Sequence, residues 1–239
     1  MAGIAQTLSG GAALPRRARR ALLFLPARLG YRHLPRIASW FRKWWTIARN
    51  PHATIRFGKH CYLGPGFSLH IPEGGEFLVG DGVEFRRNFR CEVWNGRVTI
   101  GSGAYMTYNV LIQCSTSITI GERCCIGHSS SVFDGSHRFR DPEVPFLQQG
   151  YDFRPITMGD DCVVHSLCTV LNDIGERAVI GANAVITRPV PAFTVAVGAP
   201  ARPIDYFGPV AEEPEAPATR SPSSSVEPTT RAGTPTATE

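Results

Sequence analysis

Ile174-Gly175-Glu176-Arg177-Ala178-Val179-Ile180-Gly181-Ala182-Asn183-Ala184-Val185-Ile186 is the stretch that decides the fold. An aliphatic residue, followed by glycine or another small residue, returns every six positions. Six is a poor period for an α-helix, but it suits a short strand plus a tight turn. Three such units close one triangular coil of about 18 residues. The aliphatic residue then points into the coil, and strands of successive coils pair about 4.8 Å apart.

Outward from this stretch the pattern continues as Val79-Gly80, Phe85, Cys91; Ile100-Gly101, Met106, Ile112, Ile118; Ile120-Gly121, Ile126-Gly127, Val132; and Met158-Gly159, Val164, Val170. The period predicts that Ile100 stacks on Ile118, with frame shifts between Ile118 and Ile120 and around Asn172-Asp173. Each coil leaves backbone groups unpaired above and below, so the ends of the stack need covers. The arm before residue 55 and the segment after 191 are placed to supply them. The expected architecture is all-β: a parallel β-helix over 55–204, an arm over 1–54, and a Pro/Ser/Thr-rich tail over 205–239 that is too poor in aliphatic residues to order itself. The longest departure from the period is an excursion loop over 138–154, containing Pro142, Pro145 and Gly150, directly after Val132-Phe133-Asp134-Gly135-Ser136-His137. A loop leaving a rigid stack is where function tends to sit.

The chain has 239 residues and 43% hydrophobic content, enough for one domain with a substantial core. Its 24 Gly and 19 Pro suit strands and turns. Residues 1–72 carry 12 of the 25 Lys and Arg and no acidic residue, the first being Glu73, so the remaining 13 basic residues face 20 acidic ones. A basic arm is joined to an acidic body. Within the arm, Ile37, Trp40, Phe41, Trp44 and Ile47 follow helical spacing, with Arg42 and Lys43 turned away from them. This amphipathic helix has two readings: peripheral contact with an anionic membrane surface, or an apolar stripe packed on the end of the β-helix as its cap. No motif supports nucleic-acid binding. The run Ala21-Leu22-Leu23-Phe24-Leu25 is too short to span a bilayer and lacks a cleavage site behind it. Seven cysteines form no CxxC pair and suggest buried thiols in a reducing cytoplasm, so the expected location is cytoplasmic or at the inner face of the membrane.

Three stretches resemble the hexapeptide-repeat acyltransferases, in particular the sugar O-acetyltransferases that include maltose, galactoside and cell-envelope polysaccharide acetyltransferases. They are Ile118 to Arg123, Asp134-Gly135-Ser136-His137 with its loop and Arg154 to Asp161, and Val179 to Pro191 running on to Val197-Gly198-Ala199-Pro200-Ala201-Arg202. The resemblance implies a left-handed β-helix, a homotrimer with active sites between neighbouring chains, acetyl-coenzyme A as co-substrate, no metal, and His137 as general base. It also implies a coenzyme A groove with Ala182 and Ala199 where the backbone approaches the ligand, and Thr187, Arg188 and Arg202 near the nucleotide end. Arginine is chemically apt for phosphate.

The chemistry asks for such a base independently. A sugar hydroxyl is a poor nucleophile at neutral pH until its proton has somewhere to go, and imidazole, with a reference pKa of ~6.5, accepts it. Asp134 is a candidate for orienting the ring; Ser136 and Ser166 are candidates for stabilising the carbonyl oxygen. His128 and His165 fall within repeat units and are read as turn or interface residues; His33, His52, His60 and His70 carry no assignment. The chain departs from the resemblance where sugar acetyltransferases hold acceptor-binding groups, since Thr107, Cys114 and Ser115 occupy those positions, and Val163-Val164-His165 replaces Trp-Ile-Gly. Tyr108 and Asn109 are the substitute candidates for the acceptor, a glycan or other small molecule. Two further readings share the fold: a non-catalytic β-helix scaffold at a membrane surface, and a metal hydratase of the γ-carbonic-anhydrase kind, for which His128, His137 and His165 are poorly spaced.

Overall fold

The computed structural model describes residues 34–209; the Ala21–Leu25 run and the tail over 210–239 lie outside the described residues. Three parallel sheets form the walls of a left-handed β-helix. The first face stacks Thr54–Phe57, Glu76–Val79, Arg97–Ile100, Ser117–Ile120 and Ile156–Met158. On the second face lie Tyr62–Leu63, Glu84–Phe85, Tyr105–Met106, Cys125–Ile126, Val163–Val164, Val179–Ile180 and Thr194–Val197. The third carries Ser68–His70, Arg90–Val93, Leu111–Cys114, Ser131–Phe133, Thr169–Val170 and Val185–Ile186.

Every aliphatic, Phe, Met or Cys position of the six-residue pattern is buried, from Val79 to Ile186. The stacking register differs from the expectation. Ile100 pairs with Ile120, not Ile118, and Ile118 pairs with Val98. Ile118 and Ile120 belong to one four-residue strand, in which both face inward because a strand alternates with period two. What looks like a frame shift in sequence is therefore a longer strand. Phe57, Val79, Ile100 and Ile120 stack at steps of 22, 21 and 20 residues, whereas Met158, Ile174 and Val190 stack at steps of 16. Core size follows coil length: Phe77, Phe85 and Phe89 fill the long coils, and Ala178, Ala184 and Ala196 the short ones.

The first two corners share one device. A residue with positive φ sits in each turn, such as Arg123 (54°) and Asp161 (56°) at the first corner, and Asn109 (59°), Ser129 (56°) and Asn183 (60°) at the second. This costs non-glycine residues about 1 kcal/mol each. It is offset because the left-handed turn aims each N–H at the coil before it: Ser129 N donates to Tyr108 O at 2.9 Å and Asn183 N to Ser166 O at 3.0 Å. At these corners the thiols of Cys61, Cys124, Cys162 and Cys168 donate to carbonyls of Gly80, Gly159, Gly175 and Gly181 in the next coil. All seven cysteines are free, and all but Cys125 are buried.

Residues 34–49 form the expected helix, and it covers the first coil. It does so with the opposite face from the one expected for a cap. Ser39 Oγ accepts from Leu63 N at 2.8 Å, Arg42 donates to Leu63 O at 2.6 Å, and Asn50, just beyond the helix, bonds Ile71 N and Leu69 O. The open edge of the first coil offers unpaired N–H and C=O groups, whose burial without partners costs more than apolar contact gains. Polar side chains therefore take the docked face, and the apolar stripe points to solvent. At the other end Arg202–Tyr206 pairs antiparallel with Thr194–Val197, so ordered structure runs past residue 205, where the tail was expected to begin.

Candidate active site

The excursion is a β-hairpin rather than an open loop. Gly135–His137 runs antiparallel to Tyr151–Phe153, with His137 opposite Tyr151. It starts earlier than residue 138, so His137 stands inside the outgoing strand and not at the last position of the stack. The reason lies in Asp134. Its carboxylate is buried and accepts from Ser115 N (2.9 Å), Thr116 N (2.6 Å) and Thr116 Oγ1 (2.8 Å) in the coil below, while Arg154 N donates to its carbonyl at 2.7 Å. Asp134 thus ties both roots of the hairpin to the β-helix. Among the described residues no hydrogen bond joins it to His137, so ring orientation by this carboxylate is not what the geometry provides.

Aromatic rings orient His137 instead. The imidazole is half-buried between Tyr151, with centroids 4.3 Å apart, and Phe146 at 5.0 Å, and among the described residues neither ring nitrogen has a hydrogen-bond partner. The tip of the hairpin is held by Gln149, whose amide bonds Asp141 N, Asp141 O and Val144 O, and by Arg138 paired with Asp152 at 2.6 Å. A groove of about 500 Å³ opens beside Arg138, Arg140, Gln148 and Asp152. Tyr151 and Phe146 escaped the sequence reading because only the hairpin register brings them to His137.

The other predicted residues gather at the second corner, between the second and third faces. Tyr108, His128 and Ser166 occupy equivalent turns of successive coils; Tyr108 stacks on His128 at 5.0 Å and Ser166 Oγ lies 3.5 Å from His128 Nδ1. Asn109 accepts from Asn88 at 3.1 Å. The Tyr108 hydroxyl raises the pKa of the Arg86 guanidinium beside it, against the lowering effect of burial. Ala182 follows Ser166 one coil on, and Gly198 and Ala201 bracket Ala199 by backbone bonds to Val185. Ser166, Ala182 and Ala199 therefore lie along one seam. Thr187 and Arg188 stand at the far end of the same strand, and Arg202 on the closing hairpin; both arginines are exposed and, among the described residues, form no ion pair. His137 and the Tyr108–Ser166 corner are separated in one chain by the third face, about 13 Å for a four-residue strand.

Two of the three departure side chains, Thr107 and Cys114, are spent on the scaffold, and the third position contributes its backbone N–H. Thr107 Oγ1 donates to Ile126 O at 2.8 Å, Ser115 N serves Asp134, and Cys114 is buried with its thiol pushed up to about 12 by burial and by the Asp134 charge. Among the described residues no group of three or more His, Cys, Asp or Glu side chains is placed to hold a metal ion.

No family model matches the chain. Among curated proteins it is 27% identical over 167 residues to a probable acetyltransferase of Mycobacterium tuberculosis, covering 67% of this chain and 55% of that protein. It is 34% identical over 139 residues to nodulation protein L of Rhizobium meliloti, covering 56% and 72%, and 30% identical over 114 residues to galactoside O-acetyltransferase of Escherichia coli, covering 46% and 55%. The chain spans about half the length of the first curated relatives it matches. The fold matches a hexapeptide-repeat-containing acetyltransferase from Vibrio cholerae complexed with acetyl coenzyme A, at a TM-score of 0.52 and 20% identity over 85% of this chain and 94% of that one. The repeat, the hairpin carrying His137 and these likenesses agree: the chain belongs to the hexapeptide-repeat acyltransferase family.

Proposed function

We propose that this protein moves an acetyl group from acetyl-coenzyme A to a hydroxyl of a sugar or cell-envelope glycan precursor, with His137 as general base. The observation that carries the reading is His137 itself, whose ring stands on a clamped hairpin, packed between the tilted rings of Tyr151 and Phe146, with neither nitrogen engaged by another described residue. A neutral imidazole so held takes the proton of the acceptor hydroxyl. The oxygen attacks the thioester carbonyl and forms the C–O bond, leaving an oxyanion that collapses with cleavage of the C–S bond as the proton on His137 passes to the departing sulfur. Ser136 or Ser166 supplies a hydroxyl to the transient oxyanion. Asp134 acts in this scheme as a positioning residue, through the hairpin root.

Coenzyme A fits the seam of Ser166, Ala182 and Ala199, where small side chains leave the backbone accessible, with Thr187 and the exposed Arg188 and Arg202 available to its phosphates. The acceptor lies against Tyr108 and Asn109. Because the width of the third face separates this corner from His137 within one chain, a homotrimer that sets the hairpin of one chain against the corner of the next completes the site. Free, buried thiols support a reducing, cytoplasmic setting, and the basic arm supports peripheral residence at the inner face of a membrane. The relative from Escherichia coli, named as a galactoside O-acetyltransferase, supports a sugar hydroxyl as acceptor.

Thiol release from acetyl-coenzyme A across a panel of sugars, glycolipid precursors and amino acids tests the reading. His137→Ala should lower transfer about 10²- to 10⁴-fold without changing the assembly state. Wild-type transfer by this variant with a verified acceptor would remove His137 from the mechanism.

A further inference from the structure

We infer that the helix over 34–49 seats the β-helix end-on against an anionic lipid surface, an inference that rests on the proposed membrane residence and specifies its face and orientation. Ile37, Trp40, Phe41, Trp44, Trp45 and Ile47 are 48 to 62% exposed and recur at three- and four-residue steps along one side of the helix. An amphipathic helix on a globular body ordinarily turns that side inward. Here hydrogen bonds determine the orientation: Ser39, Arg42 and Asn50 serve the backbone edge of the first coil, and Thr46 is buried with them. Rotating the helix to bury its aromatic side would strip Leu63 N, Leu63 O and Ile71 N of these partners, so the stripe is held outward by the cap itself.

Charge identifies what covers the stripe. Arg36 and Arg49 are exposed on this helix, which carries no carboxylate, and no acidic residue precedes Glu73. Arg49 sits 5.9 Å over the Trp45 ring at the border between the apolar and docked sides. A second copy pairing helix to helix would set like charges against each other, whereas anionic head groups supply the missing countercharge while the rings enter the interface. Three of the four tryptophans of the chain lie on this one surface, where the residue type favours the boundary between head groups and acyl chains. End-on seating also leaves the three faces of the β-helix, and the corners that hold the proposed acetyl-transfer site, clear of the bilayer.

The test uses the full chain with vesicles of phosphatidylcholine alone and of phosphatidylcholine mixed with phosphatidylglycerol, followed by co-sedimentation and tryptophan emission. Wild type should sediment with the anionic vesicles, shift its emission to the blue, and release as salt is added. Trp40→Ser, Trp44→Ser and Trp45→Ser together should lower the bound fraction about tenfold or more. Circular dichroism and thiol release with a soluble acceptor should be unchanged in that variant, because these side chains are mostly exposed and are not part of the proposed site. No binding by wild type, or equal binding by the triple variant, would overturn the inference. So would wild type that ignores vesicles and loses its self-association in the triple variant, which would make the stripe an interface between copies. The vesicle readout does not depend on acetyl transfer, so a failure of the enzymatic reading leaves it interpretable.

Discussion

Replacing Asp134 separates its structural role from a catalytic one. Asp134→Ala removes the acceptor for Ser115 N, Thr116 N and Thr116 Oγ1 at a site that is only 4% exposed. The hydroxyl can rotate toward another partner, but the two backbone donors cannot. Each buried donor left unpaired costs about 1 to 3 kcal/mol, and bonds to a charged acceptor lie at the upper end, so the loss should reach about 3 to 5 kcal/mol. Ser115 N bonds both carboxylate oxygens, so Asp134→Asn keeps one oxygen for Ser115 N, Thr116 N and Thr116 Oγ1 without the charge, but turns an NH2 toward Ser115 N in place of the second oxygen, and about half that loss is expected. Urea unfolding at fixed protein concentration measures both, with thiol release assayed on the folded fraction. The geometry predicts large shifts in midpoint and, for the Asn variant, transfer by folded protein within a few-fold of wild type. A stable Asp134→Asn variant that has lost transfer a hundredfold would refute this and return the carboxylate to His137.

Other perturbations probe the scaffold. Ile126→Ala, at a fully buried position in the middle of the second face, should cost about 2 to 5 kcal/mol in the same unfolding experiment. Because burial and the Asp134 charge push the Cys114 thiol up to about 12, it should resist alkylation at pH 8 in the native protein and react once urea is added, and mass mapping of the labelled peptide reads both. Arg123 holds the Asp161 carboxyl below the usual carboxylate range. A group depressed on folding contributes stability above its unfolded pKa that is lost as pH falls through the folded one. Arg123→Ala should therefore return the Asp161 titration by NMR to the ordinary range, and the variant's deficit relative to wild type should shrink in acid.

The six-residue pattern, the inward residues and the presence of an excursion next to His137 were legible in the chain, because inward and outward alternation is a local property written in side-chain hydrophobicity; that the excursion already contains His137 was not. The stacking partner was not. Ile118 and Ile120 each satisfy an inward position, and only pairing with Val98 and Ile100 tells that they share one strand. Asp134 shows the same limit at the candidate site. A carboxylate three residues before a histidine reads as its partner, yet the Ser115 and Thr116 amides one coil away claim it, at a separation along the chain that no local pattern reveals.

The helix over 34–49 draws the line most sharply. By itself the sequence determined that a helix would form and which of its sides is apolar, since both follow from residue type at helical spacing. Only the tertiary structure decided which side meets the body, because that choice depends on the unpaired N–H and C=O groups at the edge of the first coil, groups present at every residue and therefore invisible in the side-chain pattern.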